Sequence, residues 1–200
     1  MNPKANLTLH NLIIEGNETQ FAFAPLEKNM SLPYHLYLND CQVENFNYIL
    51  RSYRGSMADS ISFDEVLFKN CSNGIVLNSE TDDKGDYNAE FVYITNSTFD
   101  GIEKDVINFY RGGYDESTIG GNLLVENNVF KNCGTNESSQ ILLKTRGIIN
   151  VDILNNTFEN NPVKLIALLW GEKNNNHSGN KIVGDASIRV DQFLKQKLVY

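Results

Sequence analysis

Val151-Asp152-Ile153-Leu154-Asn155-Asn156-Thr157-Phe158 places two apolar residues at alternate positions, a small or amide residue three further on, and an apolar residue two beyond that. The pattern recurs along the chain. Its other copies are Leu7-Thr8-Leu9 with Leu12 and Ile14, Leu36-Tyr37-Leu38 with Cys41 and Val43, and Ile61-Ser62-Phe63 with Val66 and Phe68. Val92-Tyr93-Ile94 with Ser97 and Phe99, and Leu123-Leu124-Val125 with Asn128 and Phe130, complete the set. Taking the second apolar residue as anchor gives positions 9, 38, 63, 94, 125 and 153, at intervals of 29, 25, 31, 31 and 28. An antiparallel hairpin reverses after far fewer residues, whereas these intervals leave room for further short strands before the chain returns one layer up. A second strand is visible in most repeats, at Tyr48–Leu50, Ile75–Leu77, Val106–Phe109, Ile141–Leu143 and Lys164–Leu168. The fold read from this is an all-β, right-handed, single-stranded parallel β-helix of six to seven coils, its hand set by the crossover rule for parallel strands.

Equivalent residues in successive coils stack at roughly 4.8 Å, so like side chains fall into columns. Ile14, Val43, Phe68, Phe99, Phe130 and Phe158 form one column, and its last four rings are expected to stack in the core. Asn128 and Asn156 begin an amide ladder at a bend, where it satisfies backbone groups the turn leaves unpaired. Asn180 extends it if the segment around Gly179–Ile182 is a seventh coil. Cys71 and Cys133 share a column with Ile102 between them, two layers or about 9.6 Å apart, which is too far for a disulfide. With Cys41 they read as small core residues, and none has the C-x-x-C spacing of a metal site.

The 200 residues and 41% apolar content suit a single domain, 1–200. A formal charge of -8 excludes nucleic acid and an anionic membrane surface as partners in the ordinary electrostatic mode. It leaves room for an acidic polysaccharide held on a local basic strip. No stretch reaches the ~18 apolar residues of a membrane span, and Met1-Asn2-Pro3-Lys4 has no apolar signal core. Leu7 opens a strand with no capping element before it, so the first coil is expected to be uncovered and the chain to be a C-terminal fragment of a larger protein. N-x-[ST] triplets such as Asn96-Ser97-Thr98 would matter only in a secretory eukaryotic setting.

Arginines recur after the second strands, at Arg54, Arg111 and Arg146, with Arg51 and Lys144 nearby. Two readings stand. Each cation could pair with an acid of the neighbouring coil as ordinary inter-coil ion pairs. Alternatively they form a uronate site, since β-elimination of a uronic-acid polymer needs a neutralised carboxylate, a base for the C5 proton and an acid for the leaving oxygen. Tyr110, Arg111, Lys144 and Arg146 carry that chemistry, and Arg54, Arg111 and Arg146 are the candidate substrate-binding residues. Asp82, Asp83 and Asp86, around Gly85, offer oxygen ligands for calcium or a simple solvated acidic loop, without the EF-hand spacing. No G-x-S-x-G motif occurs, and His10, His35 and His177 share no spacing with a nucleophile. Trp170, closing the run Leu165–Leu169, reads as core in preference to a sugar platform.

The segments Asn78-Ser79-Glu80-Thr81-Asp82-Asp83-Lys84-Gly85-Asp86-Tyr87-Asn88-Ala89-Glu90 and Tyr110-Arg111-Gly112-Gly113-Tyr114-Asp115-Glu116-Ser117-Thr118, with the N-x-T-F endings at Asn96–Phe99 and Asn155–Phe158, resemble polysaccharide lyase family 6. The likeness is to the C-terminal β-helix domain of its two-domain alginate lyases, relatives of chondroitinase B. It implies that catalytic Lys and Arg, and residues holding calcium, belong to an N-terminal β-helix domain whose N-K-S and L-R-H-G strings are missing here. No catalytic residue and no cofactor are therefore assigned to this chain. The implied partners are that catalytic domain and alginate, and the implied location of the parent protein is periplasmic or extracellular.

Overall fold

The computed structural model describes residues 1–2, 4–26, 32–79, 87–111, 119–170 and 174–191. Every strand pairing in it is parallel and joins a residue to its counterpart one repeat on, which makes the chain a parallel β-helix. One sheet holds seven strands, Phe21–Phe23, Tyr48–Arg51, Asn73–Leu77, Ile107–Tyr110, Ile141–Arg146, Leu165–Trp170 and Ser187–Asp191, one from each coil. The other has twelve strands and consists of two rows. Its first row runs through Asn6–His10, the starts of Tyr34–Glu44 and Ala58–Lys69, Ala89–Thr95, Gly120–Glu126, Ile148–Leu154 and Asn174–Asn176. The second row runs through Ile13–Glu15, the ends of the same two long strands, Thr98–Asp100, Val129–Lys131, Thr157–Glu159 and Lys181–Ile182. The core lies between the sheets. Each coil thus has three short strands, except the second and third, where one long strand serves both rows, and the seventh coil expected around Asn180 is present.

The anchors pair in register from Leu9 through Leu38, Phe63, Ile94 and Val125 to Ile153. The aromatic column is in register as well, and Phe68, Phe99, Phe130 and Phe158 stack with centroids 4.8, 5.0 and 4.8 Å apart and planes within 18°. All four are fully buried. The three cysteines are free and buried, as the spacing required. Burial pushes the Cys71 thiol up to about 11 and the Cys133 thiol up to about 12, so both stay protonated at neutral pH.

The bend between the first and second rows is held by side chains that copy a backbone ladder. Asn128 donates from its amide to the Ile94 carbonyl at 2.9 Å, and its oxygen accepts the Ser97 N–H at 2.8 Å. Asn156 repeats this one coil up with Val125 and the Asn128 N–H, and Asn180 again with Ile153 and the Asn156 N–H. The amides also bond each other at 3.0 Å. In the earlier coils Ser97 substitutes a hydroxyl, accepting the Val66 N–H, and Val66 and Cys41 fill the position with apolar bulk.

Two further columns set the corners. Asn11, Asp40, Glu65, Asn96, Asn127, Asn155 and Gly179, each two residues past an anchor position, have positive φ. So do Asn45, Asn70, Gly101, Asn132, Asn160 and Gly184, seven residues past it. Asn and Gly dominate because a Cβ there crowds the carbonyl, and a short amide or a missing side chain tolerates it. Glu65 is the costly member. Outside the second row, Glu44, Lys69, Asp100, Lys131 and Glu159 form a charged column of mixed sign. Burial, the largest single influence on Asp100, raises its carboxyl. The Asn132 amide at 2.9 Å and the Lys131 ammonium at 3.2 Å, with Lys69 behind, outweigh burial and hold it below the usual carboxylate value.

The first coil is less covered than the rest. Leu7, Leu9 and Ile14 are half-buried where Leu36, Leu38 and Val43 of the next coil are buried, and Leu12, Ile13, Phe21 and Leu26 are exposed. Among the described residues no helix is long and apolar enough to cross a membrane.

Two outcomes follow from the ladders. Asn156→Ala removes the partner of the Asn128 N–H and the Val125 carbonyl in the dry interior. It should cost about 2–3 kcal/mol, seen as a lower urea midpoint at unchanged slope. Because the Asp100 carboxyl is depressed in the folded state, its contribution is complete above the ordinary value near 4 and is lost as pH falls through the depressed one. Asp100→Asn should therefore flatten the acid side of the stability–pH curve while leaving stability differences above about pH 5 constant.

Candidate functional site

The seven-stranded sheet turns alternate residues outward, and register lines them up along the axis. Leu50, Ile75, Ile107 and Leu143 point inward in one column, and Arg51, Val76, Asn108, Lys144 and Leu168 form the adjacent one. Two residues further along the strands, Tyr110, Arg146 and Trp170 make a parallel outward row. The bends before these strands add Lys104, Asp105, Ser138 and Ser139. These bends, the Arg51–Lys144 column and Tyr48, Asn73 and Asn78 shape a shallow open groove of about 200 Å³, and the Tyr110–Arg146–Trp170 row lies beside it on the same sheet.

Its chemistry is that of a polar, mostly cationic strip with ring faces at its edges. The Arg51 guanidinium carbon sits 5.2 Å from the Tyr48 ring centroid. Arg146 lies between two rings, 6.0 Å from Tyr110 and 5.2 Å from Trp170. Asp105 is the acid of the groove. It accepts Lys144 Nζ at 2.8 Å, Ser139 Oγ at 2.8 Å and Asn108 Nδ2 at 3.1 Å. Asn73 donates to the Asn47 carbonyl, fixing the groove floor across two coils.

Three of the four residues singled out for elimination chemistry, Tyr110, Lys144 and Arg146, share this face. Arg111 does not. Its neighbour Tyr110 faces outward, so Arg111 turns the opposite way and is buried, ion-paired to Glu90 and packed 3.7 Å over the Tyr87 ring. Gly120 and Gly121 make the space, because a Cβ on either would meet the Arg111 side chain at 2.9–3.0 Å. Arg54 is exposed in the turn that ends at Gly55, and it does not line the groove. Asp82, Asp83 and Asp86 lie outside the described residues, as does Gly112–Thr118. Trp170 departs from its expected place in the core. Leu169 takes the inward position, so strand alternation sends the indole outward.

Both inter-coil ion-pairing and a shared basic face are therefore realised, and Lys144, paired with Asp105 of the coil before, takes part in both. Lys104, Asp105 and Ser139 were not singled out by the sequence reading, since bends carry no period. Lys144 opposite Asn108 could have been found by extending the strand alignment.

The fold and this face define a β-helix with a polar surface groove of the kind that suits an extended polar ligand. Comparison of structures places the fold more narrowly. AlyGC, a PL6 family alginate lyase, matches with a TM-score of 0.63 and 24% identity over 94% of this chain. A variant of the same lyase matches with a TM-score of 0.66 and 23% identity over 91%. The likeness is one of fold, and the chain spans about 30% of the length of those lyases. No family model matches the sequence, and no curated protein does.

Glu90→Ala should strip a guanidinium that is only 7% exposed of its carboxylate. A loss of about 3 kcal/mol in unfolding free energy is expected, and Glu90→Gln, which keeps an acceptor, should lose less.

Proposed function

We propose that the chain is a β-helix domain of an alginate-lyase-like protein, non-catalytic by itself, that holds a uronate polymer along the groove of the seven-stranded sheet. The observation that carries this reading is the grouping on one face of Arg51, Lys144 and Arg146 from the strands and Lys104 from a bend, with the Tyr48, Tyr110 and Trp170 rings beside them. Guanidinium and ammonium groups meet carboxylates, and ring faces meet the C–H faces of pyranoses. The fold shared with a PL6 alginate lyase supports the same class of ligand.

Against a stand-alone lyase stands the dispersal of its parts. Arg111 is paired with Glu90 on the far side of the strand, away from Tyr110, Lys144 and Arg146, and Lys144 is held by Asp105 at 2.8 Å. The active site, with any calcium, belongs in this reading to an N-terminal β-helix domain. The half-buried Leu7, Leu9 and Ile14 of the first coil give such a domain an apolar end to cover. The parent protein works in the periplasm or outside the cell, where the polymer is met.

Titrating the chain with mannuronate oligomers should show saturable, salt-weakened binding and no unsaturated product in ultraviolet absorbance. Arg51→Ala or Lys144→Ala should each weaken binding about fivefold, the loss of roughly one exposed charge contact. Turnover by the isolated chain, or affinity indifferent to both substitutions, would contradict the proposal.

A further inference from the structure

The opposite face of the β-helix has a different character. None of the first-row strands of the twelve-stranded sheet carries Lys or Arg from the second coil to the seventh, while Asp59, Asp64, Glu126 and Asp152 lie along them beside Glu90, which Arg111 neutralises. Two aromatic pairs stand on this face. His35 and Tyr37 are near-parallel with centroids 6.0 Å apart, and Phe91 and Tyr93 are 6.0 Å apart at 28°. Register puts Ser62 between Tyr37 and Tyr93, and Ser60 between His35 and Phe91. One layer of the aromatic row is therefore missing, and its place has a hydroxyl floor.

The ring pairs lie two layers apart, about 9.6 Å. Two carbon contacts of about 4 Å, one on each face of a pyranose, span close to that gap. Tyr93 is 36% exposed although it is large and apolar, so its ring is accessible. Polar groups sit where sugar hydroxyls would fall: the Ser62 hydroxyl, the Tyr37 phenol, and Asp59, which accepts the Ser60 hydroxyl at 2.6 Å. Farther along the axis the row continues as outward amides, with Asn174 donating to Asn150 and Asn150 to Asn122, each at 2.8 Å. A uronate placed here would face Asp59 and Asp64, with no Lys or Arg of these strands to balance it and with His35 Nδ1 already 3.5 Å from Asp59. The charge balance selects an uncharged sugar.

We propose that the notch between His35/Tyr37 and Phe91/Tyr93 is a binding site for a neutral pyranose unit of a polysaccharide, whose neighbouring units leave the notch across the helix axis. The site does not depend on the uronate groove, which lies on the other sheet. The domain would then grip two polymers of different charge on its two faces.

The test is calorimetric titration of the whole chain with three neutral hexasaccharides, a β-1,4-glucan, a β-1,3-glucan and a β-1,4-mannan. At least one should bind, Tyr37→Ala and Tyr93→Ala should each weaken it about tenfold, and Lys144→Ala should leave it unchanged. Ser62→Phe fills the notch from outside without touching the core, and it should abolish binding in a protein whose unfolding midpoint is not lowered. Binding by none of the three, binding that survives Ser62→Phe, or binding lost with Lys144→Ala would overturn the proposal.

Discussion

From the fourth coil on, the solenoid depends on side chains that act as backbone. A parallel coil must turn three corners per layer, and at each corner the ladder of main-chain hydrogen bonds would otherwise lapse. Asn128, Asn156 and Asn180 bridge that lapse by exchanging amide bonds with the carbonyl and N–H of the coil below. Because each amide reaches one layer and no further, it also fixes register. A slip by one residue would point every Phe of the stacked column outward. Ladder and aromatic stack therefore specify the same alignment, and that agreement gives the outward columns their definition.

The repeat was legible because core positions in a β-helix are apolar at fixed offsets, and the six anchors and the aromatic column pair as their spacing required. The second-sheet strands of the first and seventh coils, Phe21–Phe23 and Ser187–Asp191, escaped the reading. They sit at the ends, where half-burial weakens the apolar signal. The positive-φ corners were visible in principle as columns of Asn and Gly, but Asp40 and Glu65 interrupt them.

The candidate site was legible only as far as strand alternation reaches. Lys144 and Arg146, two apart, share a face, whereas Tyr110 and Arg111, adjacent, cannot. Grouping the latter as one constellation mixed a surface residue with a buried ion pair. Asp105 and Ser139 come from bends whose lengths differ between coils, and only coordinates bring them to Lys144. Trp170 shows the same rule from the other side, since one step from the buried Leu169 is enough to reach solvent.

A β-helix offers its ligands flat faces with a fixed axial repeat, so function is written in columns. Here Arg51, Lys144 and the Tyr110–Arg146–Trp170 row occupy one sheet, and the Tyr37, Phe91 and Tyr93 rings with the outward amides occupy the first row of the other. Hydroxyl-radical footprinting with and without polymannuronate tests this division most directly. The account predicts that saturating polymer shields Tyr48, Tyr110 and Trp170 from oxidation while Tyr37 and Tyr93 label as before. Shielding of Tyr37 and Tyr93 instead, or of neither set under saturating polymer, would contradict it.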